Sequence, residues 1–174
     1  MSLGPRVLVG GLGNPWLRDL DFGTQFVRRV ASLDWPAHVM LEDLSYSAHR
    51  VLHTLQDIVA DKVVLVGSFP RDDPPGTVRA YELDLVPPPD DEVHERLTEA
   101  VGGIIDLDHT LAVVRYFQGF PVGTVVIEVE PADESFGLGF SEEVEASVGP
   151  VLDLVRAEVG APLVDVPAAL PEPL

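Results

Sequence analysis

Residues 6–12, RVLVGGL, form an unbroken apolar run closed by glycines, and this run limits the fold more than any other feature. A strand that is apolar at successive positions must be covered on both faces, which a mostly parallel sheet between two helix layers achieves. Beyond Gly13, Asn14 and Pro15, the residues Phe22, Phe26, Val27, Val30 and Leu33 recur at spacings of three and four. That is the stripe of a helix lying on such a sheet. The alternation then repeats. Residues 38–41 read as a second strand, followed by a polar turn over 43–47 and a helix with Val51, Leu52, Leu55, Ile58 and Val59 inward. KVVLVG at 62–67 is a third buried strand.

From Ser68 the pattern changes. Three prolines and two acids precede TVRAYEL at 77–83, which alternates as a half-exposed strand does and predicts an antiparallel addition. A proline-rich acidic loop covers 86–91, and helical patterns follow over 92–100 and 107–117. The second has Leu107, Leu111, Val114 and Phe117 on one side, and Gly119 ends it. Residues 124–129, TVVIEV, are the next strand. Ser141 caps a last helix with glutamates in its first turn, where the helix dipole favours them. Its inward set is Val144, Val148, Val151, Leu152 and Val155. The expected architecture is an α/β three-layer sandwich: a mostly parallel twisted sheet of about five strands with helices on both faces. One domain is expected over 1–160, with a proline-rich tail, extended or disordered, over 161–174.

Composition narrows the partners. The 174 residues include 11 basic and 29 acidic side chains and no cysteine, a formal charge of -18. Nucleic-acid affinity rests on clustered lysines and arginines that release counterions from phosphates, so a nucleic-acid partner is not expected. Anionic membrane surfaces are disfavoured by the same charge, and no apolar run approaches the roughly 20 residues that cross a bilayer. The N-terminal stretch lacks the shape of a signal peptide, so a cytoplasmic protein is expected. Without cysteine there is no disulfide, thiol nucleophile or thiolate metal site.

Open α/β sheets gather ligands at the carboxyl ends of their strands, so the loops after Gly13, Asp43 and Gly67 should line any site. Gly11, Leu12, Gly13 and Asn14 could form a phosphate loop, but Pro15 and Trp16 stand where a dinucleotide fingerprint needs its third glycine; a structural turn explains them better. Asp19 and Asp21 could bind a hard cation or act as acid and base, while Asp21 before Phe22 also makes a good N-cap. His49 and His53, one helical turn apart, could share a metal, or simply form solvated surface, since no third ligand accompanies them. His109, behind Asp106 and Asp108, could be a supported ligand or part of an acidic helix start. No nucleophile elbow or serine–lysine pattern suggests covalent catalysis.

The stretch VLVGGLGNPWLRDLDFGTQFVRRV resembles the start of the NiFe-hydrogenase maturation proteases. Their motif runs Gly-x-Gly-Asn-x-Leu-x-x-Asp, then an acidic residue and a glycine three further on; Gly11, Gly13, Asn14, Asp19 and Gly23 match it. The resemblance continues through Pro75, Gly76 and Thr77, the helix LAVVRYFQGFP, the strand TVVIEVEP and GLGFSEEVEASVGPVLDLV, covering roughly residues 5–155. It implies an α/β endopeptidase that clips a C-terminal extension from the hydrogenase large-subunit precursor after nickel insertion. The nickel would be carried by the substrate, with no intrinsic cofactor. It implies substrate recognition through Gly13, Asn14, Asp19 and Asp43.

The chain departs from the family at the metal-recognising positions, which fall on Leu20, Val66 and Gly103; none of these side chains offers a lone pair to nickel. Asp21 and His109 are the candidates for a relocated site. Catalysis is therefore in question, and the alternative is a non-catalytic binding or chaperone module for a hydrogenase subunit. A second resemblance, to peptidyl-tRNA hydrolases with their GLGNPG loop, is weaker. Asp19 and Thr24 stand where that family carries its tyrosine and histidine base, and the charge suits tRNA poorly.

Overall fold

A computed structural model describes residues 5–45, 47–103 and 105–170, so the start of the expected domain and residues 171–174 of the expected tail lie outside the described residues. In chain order the elements are β1 (Val7–Gly11), a 3-10 turn (Arg18–Asp21), α1 (Phe22–Val30), β2 (Val39–Asp43), α2 (Ala48–Asp57) and β3 (Lys62–Ser68). Then come β4 (Val78–Glu82), α3 (Asp90–Val101), α4 (Leu107–Tyr116), β5 (Val125–Val129), α5 (Glu142–Glu145) and α6 (Val148–Val159).

The five strands lie in the order β2-β1-β3-β5-β4. β1 pairs in parallel with β2 and β3, β3 pairs in parallel with β5, and β4 runs antiparallel to β5 with Val78 opposite Val129. The expected mostly parallel sheet with one antiparallel addition is what forms. Alternation along each strand then builds two cores. Val7, Val9, Val64, Val66, Ile127 and Val129 face α1 and α6, while Leu8, Val63, Leu65 and Val126 face α2 and α4. All five residues of β1 are buried, as an apolar run closed between two helix layers requires.

Helix α1 approaches the sheet so closely that residue 23 has to be glycine. A methyl there would overlap the carbonyl oxygens of Val66 and Leu12. The helix therefore starts on top of the β1 and β3 ends, which sets the floor of the cleft described below.

Several boundaries differ from those the pattern suggests. β2 extends to Asp43, so that carboxylate is held by a strand end and not by a free turn. Val59 lies beyond α2 and is exposed, and Phe117 is exposed at the C-cap of α4, where it meets Tyr116 edge-on. The last helix is broken in two. Ser141 caps α5, its hydroxyl accepting from the Val144 N–H at 3.3 Å, and the chain steps through Ala146 and Ser147 before α6 resumes. The inward valines nevertheless stay buried across the break, because the step preserves the side of the axis facing the sheet. Among the described residues, no helix is long and apolar enough to cross a membrane.

Candidate functional site

Beyond Gly11 the chain keeps to β3, with the Leu12 N–H donating to Val66 O at 2.8 Å. It then turns sharply. Asn14 N–H donates to Leu20 O at 3.0 Å, and its side-chain amide reaches across to Ile105 O at 3.1 Å, tying the loop to the approach of α4. Trp16 and Arg18 take positive φ values of 69° and 44°, a conformation costly for non-glycine residues and held here by a second loop.

That second loop, 133–141, is fastened to the first along its length. Gly137 N–H donates to Trp16 O at 2.7 Å, Arg18 N–H to Gly137 O at 3.3 Å and Arg18 Nη1 to Leu138 O at 2.8 Å. Gly137, with φ of 151°, lies flat against the Arg18 guanidinium, where a side chain would collide with it. On the rim, the exposed rings of Trp16 and Phe136 stack with centroids 6.2 Å apart and planes 13° from parallel. Between these loops and α1 opens a cleft of about 390 Å³, lined among others by Trp16, Asp21, Thr24, Gln25, Arg28 and Phe140.

Asp19 is the fastener of this construction. It is wholly buried, its Oδ2 accepting from the Ala132 N–H, the Asp133 N–H and the Ser141 hydroxyl, each at 2.8 Å, and its Oδ1 from the Ser141 N–H at 2.8 Å. Four donors satisfy the charge at the cost of any contact with a ligand.

Asp21 differs. It occupies the position before α1 but forms no capping hydrogen bond, so the expected N-cap is absent. Its Oδ2 accepts from Gln25 Nε2 at 2.7 Å, while its buried Oδ1 has no partner. Burial pushes its carboxyl above the ordinary aspartate range; the Gln25 hydrogen bond and the Arg28 charge pull it down, and Asp43 adds to the rise. Gly13 belongs to the same cluster, since a methyl on it would lie 2.7 Å from Asp21 Oδ1 and 2.8 Å from Thr24 Oγ1. Behind Thr24 stands Asp43. Its Oδ1 accepts from Thr24 Oγ1 at 3.2 Å and from Ser45, while Oδ2 receives Arg28 Nε at 3.0 Å and Nη2 at 2.6 Å. The fold thus brings Gly13, Asp21 and Asp43 together around Thr24 and Arg28, and sets Asn14 and Asp19 to either side as loop anchors.

The three residues that the resemblance sets at metal-recognising positions carry no ligand atoms. Leu20 is half-buried, Val66 packs into the core under α1 and α6, and Gly103 sits in the turn after α3 with open space where a side chain would be. His109 is buried in the first turn of α4, with its N–H on the Asp106 cap at 2.8 Å and its Nδ1 unpartnered, and it does not line the cleft. His49 and His53 are exposed, their rings edge-on at 4.2 Å. Among the described residues, no group of three or more histidines and acids is arranged to hold a metal ion.

A second ionic assembly lies toward the other edge of the sheet, at β5 and β4. Arg71 holds Asp108 with two hydrogen bonds, of 2.9 and 2.7 Å, and the buried Glu128 through Nε at 2.9 Å; Tyr81 donates its hydroxyl to Glu128 at 3.1 Å. Arg79 bridges Glu128, Glu130 and Asp73. Burial and the Glu128 charge push the Tyr81 phenol well above its usual range. Each carboxylate here is in contact with one of the two arginines, so the assembly reads as a clamp between β4, β5 and α4.

Sequence reasoning did not find Trp16, Gln25, Arg28 or Phe140. For Trp16 and Phe140 the role comes from the pairing of loops more than 110 residues apart, which leaves no local pattern, whereas Gln25 stands one helical turn from Asp21, a spacing the sequence does carry.

The sequence matches no family model. It is 30% identical over 81 residues to a Methanocaldococcus jannaschii protein whose name places it among the hydrogenase maturation proteases. That match covers 47% of this chain and 53% of the relative, so it spans about half the length of the curated protein. The hydrogenase 2 maturation peptidase of a Thaumarchaeota archaeon superimposes with a TM-score of 0.64 at 27% identity, over 89% of this chain and 98% of that one. The hydrogenase maturating endopeptidase HybD of E. coli gives 0.67 at 23% identity, over 89% and 92%. The NiFe hydrogenase maturation protease HycI of Thermococcus kodakarensis gives 0.60 at 15%, over 90% and 93%. The likeness to the last two is one of fold.

Proposed function

We propose that this chain, a homologue of the NiFe-hydrogenase maturation proteases in fold and sequence, acts in the cytoplasm on the C-terminal segment of a hydrogenase large-subunit precursor. The observation that carries the reading is the cleft at the carboxyl ends of β1 and β2. It is built from the loop that bears the family's Gly-x-Gly-Asn motif, and one wall holds a buried, half-satisfied carboxylate. Such a cleft accepts an extended peptide, with Gly13 and Asn14 shaping the loop, Asp19 fixing it and Asp43 holding Thr24 and Arg28 in the wall. Asp21 is the group placed to move a proton. An aspartate whose pKa is raised by burial retains a proton at higher pH and can exchange it with a peptide-bond nitrogen or a water. Nickel enters as part of the substrate. Of the two candidate ligands for a relocated nickel contact, Asp21 borders the cleft and His109 does not.

A second reading is favoured by Leu20, Val66 and Gly103, which bring no lone pair to the positions where the family recognises nickel. On that reading the chain binds the precursor's tail without cutting it.

One experiment separates the two. Purified chain is mixed with nickel-loaded precursor, with an active homologue in parallel, and C-terminal trimming is followed by mass spectrometry. Trimming by this chain supports the protease. Stable co-elution without trimming supports the binding module, and neither trimming nor co-elution removes both. If trimming occurs, Asp21→Asn should reduce it by at least about 100-fold, as expected for loss of a general acid or base.

A further inference from the structure

The proline-rich segment after α6 is tied back to the helices at two of its carbonyls. The helix ends at Gly160, and the chain turns back beneath Arg156, whose Nε donates to Pro162 O at 2.7 Å and Nη1 to Asp34 O at 2.7 Å while its guanidinium stacks on Trp35. Val166 then passes Gly149, and Arg29 Nε donates to Pro167 O at 2.8 Å. Both arginines are buried. Each therefore directs a charge-assisted hydrogen bond at a tail carbonyl, an interaction about twice as strong as a neutral one. Arg29 is fixed from the other side by Glu145 at 2.8 Å. From Pro167 the chain runs on until Ala169 and Leu170 line the same cleft as Trp16 and Asp21.

We propose that residues 167–170 are a strap laid along one side of this cleft, with Ala169 and Leu170 bordering it while still exposed, and that an incoming peptide must displace it. The segment has the chemistry of such a ligand: small apolar side chains, a backbone carbonyl, that of Pro167, held by Arg29, and a proline whose fixed φ lowers the entropy lost on ordering. Because it is tethered, it competes at an effective concentration in the millimolar range. The strap thereby competes with weak peptides and yields to those that bind more tightly or bring a second contact, such as the exposed Trp16–Phe136 platform on the rim. The proposal deepens the peptide-processing reading and rests on it for its biological meaning. Its test, however, involves no hydrogenase precursor, so either can fail alone.

The test uses a fluorescent peptide of the chain's own residues 163–170, LVDVPAAL, and follows its anisotropy with the full chain and with a chain ending at Pro162. The shortened chain should bind the peptide at least about tenfold more tightly than the full chain. Thermal unfolding reports whether it is folded. Equal binding by the two, or no binding by a folded shortened chain, overturns the proposal. Should the shortened chain not fold, Leu170→Glu in the full chain replaces it. A carboxylate there is placed on the border of the cleft that Asp21 also lines, which should release the strap and raise peptide affinity by a similar factor; affinity unchanged from the parent overturns the proposal.

Discussion

Ser141 holds Asp19 twice, its N–H on Oδ1 and its hydroxyl on Oδ2, both at 2.8 Å, across 122 residues of sequence. Two more N–H donors, from Ala132 and Asp133, complete the carboxylate. The motif aspartate therefore builds the cleft by joining two loops. In Asp19→Asn the amide must turn its NH2 toward at least one of these donors. The variant should lose about 2–3 kcal/mol of stability, the cost of an unsatisfied buried group beside a lost charge-assisted bond. Urea denaturation measures this, and a loss below about 0.5 kcal/mol would contradict the role given to Asp19.

Asp21 makes a prediction about pH. Its folded pKa is raised by burial, so between its unfolded and folded pKa values the native state binds more protons than the unfolded one. Stability from this group is therefore highest below the unfolded value, falls as pH rises through the interval, and levels off above the folded value. Asp21→Asn removes that loss. The variant should gain stability over the parent as pH rises from about 4 toward neutrality, with little difference in acid. Parallel urea titrations across that range check it; a difference independent of pH would show that Asp21 does not titrate as described.

Gly23 has its Cα hydrogen pressed against the Val66 and Leu12 carbonyls. Gly23→Ala should cost at least about 3 kcal/mol, the upper range for overpacking, because the obstructing atoms are backbone and cannot rotate aside. Loss of folded protein, or a melting temperature lower by more than about 10 °C, is the expected readout.

Arg71 supports Asp108 and the buried Glu128 together. Arg71→Met should cost about 2–3 kcal/mol, somewhat less than the loss of a fully buried partner, because Arg71 is partly exposed and Arg79 and Tyr81 still reach Glu128. Adding Glu128→Gln should restore more than half of that loss, since the penalty lies mainly in the charge left behind. A double-mutant cycle gives the coupling directly; additive losses would contradict the clamp.

The family likeness and the alternation of elements were legible from residues 6–12 onward, because an apolar strand followed by a helix of period 3.6 has few places to go except a covered parallel sheet. The break between α5 and α6 was not legible, because the valines keep their side of the axis across it. Phe117 was misplaced for a related reason: periodicity assigns a face to a residue but does not say where the helix stops.

The sequence by itself determined the layered α/β architecture, the motif loop and the absence of ligand-bearing side chains at positions 20, 66 and 103. Each of these is a property of residue type and local period. Only the tertiary structure decided the fate of the carboxylates. Asp19 and Asp21 are two residues apart and alike in sequence, yet one meets four donors from residues 132–141 and the other keeps an unpartnered oxygen beside the cleft. The donors that distinguish them come from the far end of the chain. Hydrogen bonding and desolvation depend on which groups are near in space, and no local pattern records that.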